Sequence, residues 1–174
     1  MLVYMRQAQN NDVIDILNII ETARIYLKQQ GVNQWQLGYP NQDTILSDLN
    51  QKIGYVLIVA DQVAGYAAIV SGEEPNYKKI ELGQWLNKST DYVVIHRFAL
   101  SPLYRGQKLT QRFMTAILTY FFERQAFDFR IDTHPENIPM QAVIRDNGFT
   151  KQGIVRIDEG TDSSIRWAYQ LLLK

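Results

Sequence analysis

Hydrophobic positions change period several times along the chain, and each change marks an element. Residues 2–6 read as a short strand. Val13, Ile16, Leu17, Ile20, Ala23 and Leu27 then recur at helical spacing. Asn11 or Asp12 is placed to cap that helix, and Gly31 to end it in the left-handed conformation. Residues 44–51 fit a second, shorter helix with Ile45, Leu46 and Leu49 inward. Residues 55–60 and 63–70 are β-rich runs separated by Asp61-Gln62, which predicts a hairpin. Residues 72–91 hold Pro75, Gly83 and Trp85 among polar residues and predict an irregular loop with one helical turn. Residues 92–100 predict a strand stopped at Ser101-Pro102. Leu109, Phe113, Ile117, Tyr120 and Phe121 predict a long helix. A strand over 127–133, a helix over 137–147 closed by Gly148, and strands over 150–157 and 164–173 complete the pattern. This order predicts an α/β (α+β) sandwich built around one largely antiparallel sheet. No internal repeat, low-complexity tract or Pro/Gly/Ser-rich linker interrupts it, so a single domain over residues 1–174 is expected.

Composition narrows the chemistry. Lys plus Arg is 18 and Asp plus Glu is 18, so the formal net charge is zero. That balance argues against broad electrostatic capture of nucleic acid or an anionic membrane. Cysteine is absent, which removes disulfides, thiolate metal sites and a cysteine nucleophile together. His96 and His134 are the only two histidines, too few for a histidine-rich metal site. The first residues, MLVYMRQAQNND, lack a basic region followed by an apolar run, and no apolar stretch is long enough to span a bilayer. A cytoplasmic protein with no metal is expected.

The segment HRFALSPLYRGQKLTQRFM, residues 96–114, carries the most chemical information. A strand runs out, turns at Pro102, passes Arg105-Gly106 and enters a helix. The first N–H groups of a helix lack partners within it, and its dipole places partial positive charge there, so such an end binds phosphate or pyrophosphate. Arg105 and Lys108 add charge, Thr110 a hydroxyl, and Gly106 a tight turn with no Cβ in the way. The same residues also fit a plain strand-to-helix turn with a solvated basic pair. Lys108-Leu109-Thr110 does not supply the Gly-Lys-Ser/Thr of a P-loop, and a dinucleotide fingerprint needs three spaced glycines where one is present.

Here the sequence resembles the GNAT superfamily of N-acetyltransferases. Arg105-Gly106-Gln107-Lys108-Leu109-Thr110 sits where that family has Arg/Gln-x-x-Gly-x-Gly/Ala, directly after its fourth strand. IDTHPENIPMQAVIRDNGF, residues 131–149, is similar to the family's fifth strand and following helix, with the helix-start Asn137 and the terminal Gly148-Phe149. VAGYAAIV, residues 63–70, is similar to its third strand, with Gly65. Two departures stand out: Lys108 and Thr110 replace family glycines, and Ile144 stands where a tyrosine often serves as general acid.

The resemblance implies a mixed, largely antiparallel sheet splayed between strands four and five, with helices on both faces. It also implies acetyl-CoA as co-substrate, held by Phe98, Ala99 and Leu100, by the Arg105–Thr110 loop, and by Asn137 and Met140. An amine would attack the thioester while a Phe98 or Leu100 N–H stabilises the oxyanion. His134, Asp132 and His96 are the candidates for proton transfer, although a strand histidine such as His96 equally fits a bonded place in the core. Trp35, Tyr39, Tyr77 and Trp85 fall in segments that commonly shape the acceptor site, where aromatic rings hold an amine by cation–π contact or simply cover the core edge. The expected activity is acetyl transfer to a primary amine of a small molecule. A homodimer is compatible with it, and a non-catalytic domain that senses CoA or a nucleotide is the alternative.

Overall fold

The computed structural model of the chain describes residues 1–158 and 163–174. Its elements are β1 (Val3–Gln7), α1 (Val13–Gln29), α2 (Gln42–Asn50), β2 (Gly54–Val59), β3 (Gln62–Ser71), β4 (Val93–Leu100), α3 (Leu109–Phe122), β5 (Asp128–Thr133), α4 (Ile138–Asp146), β6 (Thr150–Asp158) and β7 (Ser163–Leu172). This is the order expected from the sequence. The hydrogen-bonded strand order β1-β2-β3-β4-β5-β7-β6 makes a seven-stranded mixed sheet in which β4 and β5 run parallel. Among the described residues no helix is long and apolar enough to cross a membrane. The chain divides into two compact units, Met1–Ile69 with His96–Ile117 and Val70–Ile95 with Leu118–Lys174.

In the first unit, Ile16, Ile20, Ile45, Val56, Tyr66, Ala68 and Ala99 form one buried apolar cluster. Gly31, at φ 72°, ends α1, and the Val32 and Gly31 N–H groups bond back to Leu27 and Lys28 carbonyls in a Schellman arrangement. Asn41 caps α2 by accepting from the Thr44 N–H at 3.0 Å. The phase of α2 differs from the expectation. Leu46 is 36% exposed, and Asp48 lies inward with Ile45. Positions 45, 48 and 49 share one face at 3.6 residues per turn, and position 46 is rotated off it by about 100°. The hairpin turn also sits one residue earlier than expected. Val59 pairs with Gln62, and Ala60 and Asp61 both have positive φ, the two-residue geometry that matches strand twist. Gly65 sits at a close approach, where an added Cβ would lie a tight 3.2 Å from the Ala99 carbonyl and 3.3 Å from the Phe113 ring.

The second unit packs Tyr77, Tyr92, Val94, Val155 and Ala168. Arg130 is 2% exposed, sandwiched between the Trp85 and Tyr92 rings at 4.4 and 3.7 Å and paired with Asp128 at 3.1 Å. The irregular segment before β4 contains one 3-10 turn, Pro75–Tyr77, and is pinned to β6 by a two-way backbone bridge between Glu81 and Ile154. The β4–β5 ladder pairs Val93–Ile95 with Phe129–Ile131, while β4 continues to Leu100.

Candidate active site

The strand-to-helix loop lies in the first unit. Leaving β4, the chain makes a 3-10 turn at Pro102–Tyr104, started by Ser101 accepting from the Leu103 N–H, and reaches α3 at Leu109. Gly106 has φ 81°, and no protein atom lies within 4 Å of where its Cβ would be. The glycine is therefore explained by its left-handed backbone and by the open space above it. Lys108 has φ 55°, so a lysine holds a glycine-type conformation at the first position of the helix ladder, where its carbonyl accepts from the Arg112 N–H at 3.2 Å. A left-handed residue other than glycine costs on the order of 1 kcal/mol. Arg105 and Lys108 are exposed, and the Arg105 guanidinium lies 5.7 Å from the Tyr26 ring centroid. Two cations at a helix start, beside a glycine whose Cβ space is empty, form a cradle that fits a pyrophosphate.

The strand leading into this loop is irregular. Arg97 sits mid-β4 with φ 53°, two residues past Ile95, where pairing to β5 ends. Its guanidinium makes a bidentate contact with Asp48, Nε to Oδ2 at 2.9 Å and Nη2 to Oδ1 at 2.7 Å, and also donates to the Tyr39 hydroxyl. The Tyr66 hydroxyl donates to Asp48 Oδ2 at 2.6 Å. Burial first, and the Asp48 carboxylate second, push the Tyr66 phenol far above its usual range. Burial pulls the Arg97 guanidinium down, but Tyr39 and Asp48 outweigh it and hold it above the ordinary arginine value. Phe98 stacks on Phe113 of α3 at 5.2 Å, whereas Ala99 belongs to the cluster with α1 and α2. His96 is half-buried beside Arg97.

The proton-transfer candidates from β5 lie in the second unit. Asp132 accepts from the buried Tyr77 hydroxyl at 2.7 Å, and Arg166 Nε is 3.9 Å away. Burial and then Asp132 raise the Tyr77 phenol well above its usual value. His134 Nδ1 accepts from the Glu136 N–H at 3.2 Å, which in the neutral imidazole places the proton on Nε2. Asn137 caps α4 by accepting from the Met140 N–H at 3.3 Å. Ile144 is fully buried.

The aromatic residues of the irregular segments divide by unit. Trp35 is 9% exposed and belongs to the core cluster of the first unit. Tyr39 is 39% exposed with its hydroxyl on Arg97. Trp85 donates to the Tyr77 carbonyl at 2.9 Å beneath Arg130.

The model of the acetyltransferase (GNAT) family matches residues 19–149. The chain belongs to the GNAT family. It is an acyltransferase of that family, whose co-substrate is acetyl-CoA. Among solved structures, a GNAT-family acetyltransferase from Streptococcus agalactiae 2603 is 33% identical with a TM-score of 0.91, over 99% of this chain and 96% of that one. A GNAT-family acetyltransferase from Listeria monocytogenes 4b F2365 shares the fold at 17% identity and a TM-score of 0.74, over 98% of this chain and 95% of that one. So does an acetyltransferase from Salmonella typhimurium that modifies the N-terminal serine of ribosomal protein L7/L12, at 17% identity and 0.71, over 99% and 95%. No curated protein sequence matches the chain.

Within this GNAT chain, sequence reasoning missed Asp48 and Arg97. The available signal was an arginine inside the apolar run VVIHRFAL, together with an aspartate in phase with Ile45 on α2.

Proposed function

We propose that this chain is a cytoplasmic enzyme that transfers an acetyl group from acetyl-CoA to a primary amine of a small molecule. The observation that carries the reading is the Arg105–Lys108 turn, where Gly106 and Lys108 are both left-handed and two exposed cations stand at the start of α3. There Arg105 and the N–H groups of Gly106 and Lys108–Thr110 hold the pyrophosphate, the Gln107 N–H being given to the Tyr104 carbonyl at 3.2 Å, and Phe98, Ala99 and Leu100 offer backbone groups to the pantetheine arm. A small acceptor is favoured by a cleft of about 330 Å³ in the first unit, lined by Asn18, Glu21, Arg24, Gly38, Pro40 and Gln42. That is the lower end of the range for small-molecule sites.

The attacking amine must be neutral, and an alkylammonium near the lysine reference of about 10.4 has to lose its proton first. A Phe98 or Leu100 N–H stabilises the oxyanion. His134, protonated to the imidazolium, gives a proton to the departing thiolate and returns to the neutral Nε2–H form, since buried Ile144 has no ionisable group. Asn137 and Met140 at the start of α4 belong to the same proposed coenzyme set.

Thiol release with acetyl-CoA and a panel of polyamines, amino sugars, amino acids and short peptides tests the function. Turnover with small amines is expected. Turnover with peptide N-termini alone overturns the acceptor class, and acetyl-CoA binding with no turnover on any amine leaves a CoA-holding module. His134→Ala is expected to lower kcat by about 10²-fold, the low end for acid–base catalysis because a thiol near pKa 8.5 already leaves readily. Coenzyme affinity should stay near wild type. A wild-type rate with an unchanged pH profile would assign the proton to solvent.

Lys108→Gly separates two effects of one residue. It relieves the left-handed strain and should raise stability by roughly 1 kcal/mol. It also deletes a cation, so acetyl-CoA affinity should fall, by an amount that shrinks with added salt. Tighter binding in calorimetry would show that the lysine crowds the loop.

A further inference from the structure

We propose that the Asp48–Arg97 ion pair is a positioning device for acyl transfer: it holds β4 in a left-handed turn that aims the Phe98 or Leu100 N–H at the thioester oxygen. The inference rests on the acetyl-transfer reading above and extends it to two residues that touch no reacting atom.

Three observations converge on Arg97. Its backbone, at φ 53°, is in a region that an L-residue enters only when its surroundings hold it there. The turn falls two residues beyond the last β4–β5 pair and immediately before Phe98, so it sets the course of the β4 segment that continues past the ladder. Its guanidinium is fixed on two edges, by the bidentate contact to Asp48 through Nε and Nη2 and by the Tyr39 hydroxyl at Nη1. The pair is buried, with side chains 11% and 4% exposed, and Tyr66 holds the Asp48 carboxylate in turn.

A buried ion pair adds little net stability over apolar residues of equal volume. What a bidentate guanidinium–carboxylate contact adds is direction, because two parallel bonds fix the plane of the guanidinium. Phe98 on the α3 side and Ala99 in the α1–α2 cluster secure the residues that follow, so the clamp fixes the one position where β4 departs from regular strand geometry. Oxyanion donors act only when preorganised, which is where such a clamp affects rate.

Two double variants test this: Asp48→Asn with Arg97→Ala, and Asp48→Asn with Arg97→Gly. Each removes both charges and leaves an amide oxygen for the Tyr66 hydroxyl. Alanine resists positive φ and glycine accepts it. Thiol release from acetyl-CoA is followed in amine-free buffer, where water attacks the same carbonyl and no acceptor needs to be known. The alanine pair should lose at least tenfold in kcat with acetyl-CoA affinity within twofold of wild type, and the glycine pair should recover most of that loss. Equal kcat in the two variants, or a rate loss matched by an equal loss of coenzyme affinity, overturns the proposal.

If neither double variant folds, Arg97→Lys keeps the charge and removes the bidentate contact. Its kcat should fall while its Tm stays near wild type, and an unchanged kcat overturns the clamp. A wild-type protein that releases no thiol in that buffer or with any amine of the panel is a failure of the acetyl-transfer reading. The clamp is then read from hydrogen exchange at the Phe98 amide, which should be at least tenfold faster in the alanine pair than in the glycine pair; equal rates overturn it.

Discussion

Asp48→Ala lowers the unfolding free energy by about 3–5 kcal/mol, the cost of stripping one partner from a buried ion pair. The loss is large because of what remains. The Arg97 guanidinium keeps its charge, is 11% exposed, and has lost both bonds to the carboxylate, while the Tyr66 hydroxyl, on a fully buried residue, loses its acceptor. For a domain of this size each kcal/mol moves Tm by roughly 2–4 °C, so a fall on the order of 10 °C should appear in a thermal scan, with a matching shift in urea midpoint. Removing both charges with Asp48→Asn and Arg97→Gly should cost clearly less than Asp48→Ala alone. A single variant within about 1 kcal/mol of wild type would mean that water reaches Arg97 and the pair is not buried in solution.

Tyr66 adds a pH signature to the same cluster. Its phenol is held protonated far above the unfolded value of about 10, by burial and then by Asp48. The folded state therefore keeps a proton that the unfolded state loses. The stabilisation is fully present below pH 10 and declines above it, by about 1.4 kcal/mol per pH unit for one proton. Tyr66→Phe should lack this alkaline slope, so the stability gap between wild type and variant narrows above pH 10. Parallel profiles for the two proteins would remove Tyr66 from the account.

Element order was legible because it rests on periodicity, which a single sequence carries in full. Phase and pairing were less legible. The inward face of α2 followed apolar character to Leu46, whereas the helix turns Asp48 inward to meet an arginine 49 positions away. A lone strand arginine and a lone helix aspartate become informative only once the fold brings them together. The loop was legible for a different reason, since cations at a helix start have a meaning that does not depend on distant residues. Its backbone was legible only through the resemblance, in which Lys108 stands where the family has a glycine, the residue that usually announces a φ of 55°. The aromatic residues of the irregular segments were legible as rings but not as contacts. Trp35 and Trp85 invited a ligand reading, yet Trp35 fills the first core and Trp85 holds the Tyr77 carbonyl under Arg130. A large ring buries more area than its neighbours, so in a polar loop it is drawn to the nearest apolar surface.

Arg105→Glu is expected to weaken acetyl-CoA binding by about a hundredfold, with the fold intact. A charge-assisted hydrogen bond to phosphate is worth roughly 1.5–3 kcal/mol, and about 2.7 kcal/mol corresponds to a factor of 100. Reversing the charge adds repulsion toward a pyrophosphate, although solvent screening at this exposed position keeps that addition small. The same exposure protects stability. The described contact of the guanidinium is with the Tyr26 ring at 5.7 Å, so unfolding free energy should change by no more than about 0.5 kcal/mol. Salt supplies the control: the ratio of wild-type to variant affinity should shrink as ionic strength rises and the Debye length falls from about 10 Å at 0.1 M toward 3 Å at 1 M. Arg105→Gln, which removes the charge without reversing it, should fall between the two. Calorimetry that finds a folded Arg105→Glu protein binding acetyl-CoA as tightly as wild type would move the pyrophosphate away from the start of α3. Lys108 and the left-handed turn would then be features of the backbone alone.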